Sequence, residues 1–60
     1  KMEVILRDVA IRDENFEVIN WTTNENSPRG EVIDLEKGWV TVRTNKGNII
    51  KGWAGEFVLA

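Results

Sequence analysis

Three tryptophans, Trp21, Trp39 and Trp53, are the residues of this 60-residue chain with most to offer chemically, and what they offer is contact rather than catalysis. The sequence has no His and no Cys. That removes the commonest general base and the strongest nucleophile, the usual zinc ligands and any disulfide. Carboxylates do occur in pairs, Asp13 with Glu14 and Asp34 with Glu36. The first pair is adjacent in a turn-like stretch and does not converge. The second is spaced two apart, as on one wet face of a strand. Asp13, Glu14 and Asn15 lack the ligand spacing of a calcium loop. No catalytic residue, metal ligand or cofactor is expected, and the chain reads as non-enzymatic.

An indole has a large apolar face and a polar edge, so each Trp has two readings. It covers a core that is short of apolar mass, or it stands at the surface as a contact anchor. The core reading is preferred for Trp21 and evenly balanced for Trp53, while Trp39 is read as exposed. Charges qualify the surface reading. Glu36, Glu25 and Glu31 could flank an aromatic groove and favour a basic or methylated lysine side chain through cation–π attraction. Arg43, Lys46 and Lys51 cluster around one hairpin in sequence and could meet phosphates while an indole stacks on a base. Asn20-Trp21-Thr22 matches a glycosylation acceptor and is read as chance.

The elements that must position these residues are strands. Met2–Ile11 is dense in Val, Ile and Leu and apolar on both faces, as in small barrels where a strand bends or changes partner. Arg12–Asn15 is a polar turn, and Phe16–Thr23 alternates as a hairpin partner, with Asn24–Arg29 a surface loop around the single Pro28. Gly30–Glu36 is a third strand, turned by Lys37-Gly38. Trp39–Thr44 alternates strictly, with Val40 and Val42 on one face and Trp39, Thr41 and Arg43 on the other. Asn45-Lys46-Gly47 is a tight turn. Asn48–Trp53 returns, and a 3₁₀ turn near Gly55 leads to a terminal Phe57-Val58-Leu59 that should pack into the sheet. Five or six short antiparallel strands with no helix make one all-β domain, 1–60. At this length a barrel is expected, because closure removes edges.

The stretch Gly30-Glu31-Val32-Ile33, Gly38-Trp39-Val40, Asn45-Lys46-Gly47, Gly52-Trp53 and Phe57-Val58 resembles an SH3-like barrel. Bacterial SH3-type domains are most similar, in the wording GWVTVRT followed by GW. The Tudor and KOW branches share the strand–turn–strand pattern, and a five-stranded OB-type barrel is the alternative architecture. The resemblance covers about half the chain and implies that Trp39 lies on the ligand face. It departs from the proline-binding SH3 domains in having no Tyr, no aromatic-rich opening before Phe16 and no Pro in the 3₁₀ turn.

Composition bounds the partner. A net charge of −2 disfavours general phosphate binding without forbidding a local basic face. No apolar run approaches the length of a membrane helix, so no membrane partner is expected. The lack of Cys and of a signal-peptide layout sets a cytoplasmic expectation. The function expected is a non-catalytic interaction module. It would bind a protein or peptide through Trp39, Trp53 and Phe57, with Glu36 and Arg43 tuning charge. The alternatives are nucleic-acid binding through Arg43, Lys46 and Lys51, and a structural subunit of a homo-oligomer.

Overall fold

Alternation is cleanest in Trp39–Thr44, and that segment is the central strand of the sheet. The computed structural model describes residues 2–7, 10–23 and 25–60. Its elements are β1 (Glu3–Leu6), β2 (Ala10–Arg12), β3 (Val18–Trp21), β4 (Arg29–Glu36), β5 (Trp39–Thr44), β6 (Ile49–Trp53), a 3₁₀ turn (Ala54–Glu56) and β7 (Phe57–Leu59). They form one antiparallel sheet of seven strands in the order β3-β2-β6-β5-β4-β1-β7, curled into a half-barrel. The chain is therefore all-β, and the small-barrel expectation holds.

The strand count exceeds the expected five or six because Met2–Ile11 is not one strand. β1 pairs with β4 and β7, whereas β2 pairs with β3 and β6. A segment apolar on both faces can do this, since each half buries its side chains against different neighbours. Residues 1, 8, 9 and 24, and with them the expected facing of Val9 and the start of the Asn24–Arg29 loop, lie outside the described residues.

The core sits under the curl. Val4, Leu6, Ile11, Val40, Val42 and Ile50 form one buried cluster, with Val32 and Phe57 packed against it. Leu6 and Val42 are fully buried. Each side chain of this kind contributes about 1.5–3 kcal/mol relative to exposure. With so few of them, the domain depends on every one.

Two glycine positions let the sheet curl and turn. Gly30 is buried where β4 runs between Val4 of β1 and Thr44 of β5. A Cβ there would drive into the backbone carbonyl of Arg43. Between β4 and β5, Lys37 and Gly38 both take positive φ, 55° and 86°. That is the type I′ hairpin turn, whose twist matches the strands it joins.

Gly30→Ala is expected to cost about 2–3 kcal/mol, because the obstructing atoms are backbone and cannot rotate away. Gly55, where an added Cβ meets nothing within 4 Å, should tolerate Ala within about 1 kcal/mol. Urea unfolding of both variants, followed by Trp fluorescence, checks the contrast. Equal midpoints would contradict the close approach at Gly30.

Candidate functional site

The face of β5 turned away from the core carries the site. Because Val40 and Val42 point into the core, Trp39 and Thr41 point to the opposite face, where Thr41 is itself buried at 8% exposure. Register then places Trp53 of β6 directly opposite Trp39, and Lys51 opposite Thr41. On the other side of β5, Glu36 of β4 is opposite Trp39 and Asp34 is opposite Thr41. The two indoles stack, with ring centroids 3.9 Å apart and planes at 27°.

Local structure holds this pair. The Trp53 amide donates to the Glu56 carboxylate at 2.9 Å, and the Ala54 amide donates to the Gly38 carbonyl at 2.9 Å. The 3₁₀ turn is thereby tied to the β4–β5 turn. A side chain on Gly38 would come within 3.4 Å of the Trp53 ring, so the bare backbone of this turn lies against the indole. Trp39 is half-buried, while Trp53 remains 44% exposed.

A third ring completes the row. Phe16 sits in the β2–β3 hairpin with φ of 67°, a left-handed backbone that bulky residues rarely adopt. The hairpin enforces it. The Asp13 carboxylate accepts from the amides of Asn15 (2.8 Å) and Glu17 (3.0 Å), and the Phe16 amide donates to the Asp13 carbonyl at 3.0 Å. The result swings the Phe16 ring edge-on to Trp39, 4.9 Å between centroids at 66°. The Lys51 ammonium lies 4.6 Å from the Phe16 ring centre and the Arg12 guanidinium 5.8 Å from that of Trp39. Between Phe16 and Trp39 runs a shallow groove of about 180 Å³, bordered also by Thr41, Asp34, Glu36, Lys37 and Lys51.

This arrangement can stack, desolvate and grip a cation or a flat group. It holds no nucleophile and base in contact, and no group of three His, Cys, Asp or Glu is placed to hold a metal among the described residues.

Of the five residues expected in the site, Trp39, Trp53 and Glu36 are brought together. Arg43 shares the outward face of β5 but lies at its far end, paired in register with Glu31 and 3.6 Å from its carboxylate. Phe57 is on the other side of the sheet, paired with Leu6 and packed against the core. Its ring packs close to Gly52, the neighbour of Trp53. The basic trio is dispersed. Arg43 faces Glu31, Lys51 lies over Phe16, and Lys46 borders a different cleft. Of the acids expected to flank the groove, only Glu36 borders it, since Glu25 lines that other cleft and Glu31 faces Arg43.

Trp21, expected in the core, is 64% exposed. Its strand β3 is an edge of the sheet, and the β2–β3 register slips between Ile11 and Arg12. Every residue of β3 is exposed, so this edge strand buries neither face and adds nothing to the apolar mass that Trp21 was expected to supply to a small core. Sequence reasoning missed Phe16, Arg12 and Asp34 as neighbours of the indoles. The one available signal was an aromatic ring standing inside the charged run Asp13-Glu14-Asn15-Phe16-Glu17.

No protein-family model, curated protein or solved structure matches the chain. What can be said of its task rests on this geometry.

Removing one ring of the stacked pair should leave the fold standing. Trp53→Ala is expected to cost about 1–2 kcal/mol, the worth of an aromatic pair and a half-exposed side chain. It should also abolish the exciton couplet that stacked indoles give in far-ultraviolet circular dichroism. A couplet that survives Trp53→Ala but vanishes in Trp21→Ala would contradict the pairing.

Proposed function

We propose that this domain is a non-catalytic interaction module of SH3-like type that binds a protein or peptide partner across the Phe16–Trp39–Trp53 face. The observation that carries the reading is the Trp39–Trp53 stack, one ring half-buried and the other 44% exposed. An indole fixed by a neighbouring indole loses little side-chain entropy on binding, which is what an interface anchor needs. The groove beside it, with Asp34 and Glu36 on one wall, gives the face a polar rim that selects among partners.

Nucleic-acid binding has less to recommend it. Arg43 is engaged with Glu31 and Lys46 borders the other cleft, so of the three cations expected to meet phosphates only Lys51 lies beside the rings, in a groove that Asp34 and Glu36 also border.

The test is an amide and indole NMR titration with three probes: a proline-rich peptide, a lysine-rich peptide and a short single-stranded oligonucleotide at two salt concentrations. One of the peptides should move the Trp39 and Trp53 indole signals. Trp53→Ala should weaken that complex about 30-fold, as for a hot-spot residue, while Trp21→Ala leaves it within about twofold. Binding of the oligonucleotide alone, with affinity falling steeply as salt rises, would overturn the reading in favour of nucleic acid.

A further inference from the structure

At the other end of β5 from Trp39, the half-barrel is open. Strand β3 lies at one edge of the sheet and is not paired with β4, so residues 25–28 lead back across the gap between them. Beneath that crossing lies a cleft of about 530 Å³, within the 300–1,000 Å³ typical of small-molecule sites. Ile11 and Ile50 of the core line its floor, and Ile19 and Pro28 its walls.

Its walls carry hydrogen bonds of their own. The Thr23 hydroxyl accepts from the amides of Glu25 (3.1 Å) and Asn26 (2.9 Å), and the Ser27 hydroxyl donates to the Thr23 carbonyl at 2.8 Å. The loop is thus stapled by its own side chains, which lowers the cost of accepting an occupant.

The charges at the rim indicate what that occupant is. Arg29 and Lys46 both line the cleft, brought to one corner where the Asn45 amide donates to the Arg29 carbonyl at 3.0 Å. Neither takes part in an ion pair among the described residues, where the single pair is Arg43 with Glu31. Glu25 is the one carboxylate in the lining. A molecule whose net charge is negative thus concentrates above an apolar floor two cations that have no ion pair among the described residues.

We infer that this cleft is a second binding site, taking a small amphiphilic carboxylate. The apolar body would rest on the three isoleucines, and the carboxylate would bridge the Arg29 fork and the Lys46 ammonium. Both are charge-assisted contacts, and the guanidinium matches a carboxylate two bonds at a time. The inference does not depend on the aromatic face, which lies at the far end of β5.

The test uses the full chain with isoleucine methyl labelling, titrated with sodium octanoate below its micelle concentration. Octanol, octylammonium and acetate serve as comparison probes. Octanoate should shift the methyl signals of Ile11, Ile19 and Ile50 saturably while the Trp39 and Trp53 indole signals stay still. Octanol, octylammonium and acetate should each bind roughly tenfold more weakly or worse, the discrimination expected of a charged hydrogen bond. Arg29→Gln and Lys46→Gln, both at exposed side chains, should each weaken octanoate and leave octanol unchanged. Equal affinity for octanoate and octanol, preference for octylammonium, no saturable shift, or shifts confined to the indoles would each overturn the inference.

Discussion

Strand β5 turns its two valines into the apolar core, and the rest of the structure follows from that. Its period of two sends Val40 and Val42 into the buried cluster, so Trp39, Thr41 and Arg43 have to lie on the opposite face, where Thr41 is covered by its neighbours. Sliding the strand by one residue would bury a charged Arg and expose the fully buried Val42. The register with β4 and β6 is therefore held by the hydrophobic pattern itself. A domain with seven strongly buried apolar side chains has no spare packing with which to tolerate a slip.

The aromatic face costs the fold little because it lies outside this constraint. Trp39 and Trp53 meet because β5 and β6 form a hairpin with those residues opposite, not because the core requires two indoles there. The 3₁₀ turn then works as a brace, through the Glu56 carboxylate on the Trp53 amide. Phe16 costs more, since its positive φ is an unfavourable backbone state for an aromatic residue. The Asp13-capped hairpin maintains it, and the outcome is a third ring on Trp39 rather than anything added to the core. Strain retained at a surface ring is consistent with an aromatic row that serves contact.

The readable part of the sequence was the meander from β4 to β6. There each strand alternates, each turn contains a glycine, and neighbours in sequence are neighbours in the sheet, so facing could be inferred without knowing the topology. Trp39, Trp53 and Glu36 came out together for that reason. The unreadable part was everything that depends on non-local pairing. Met2–Ile11 looks continuous, yet its halves serve different partners across the sheet. Trp21 is expected in the core because so short a chain is short of apolar mass, but β3 is an edge strand exposed along its whole length. Phe57 has the composition of a site residue and the location of a core one, decided by its pairing with Leu6 on β1. Phe16 is expected to open the strand Phe16–Thr23, but the strand begins at Val18 and a backbone turn aims the Phe16 ring instead.

The most direct test of this account is the solvent accessibility of the three indole N–H groups and adjacent ring protons, measured in solution with a soluble paramagnetic agent alongside ring-to-ring nuclear Overhauser effects. The account predicts strong broadening for Trp21 and Trp53, weaker broadening for Trp39, and ring contacts from Trp39 to both Trp53 and Phe16. Protection of Trp53 and Trp21, with no Overhauser contact between Trp39 and Trp53, would contradict it and place the indoles in a buried interior or interface instead.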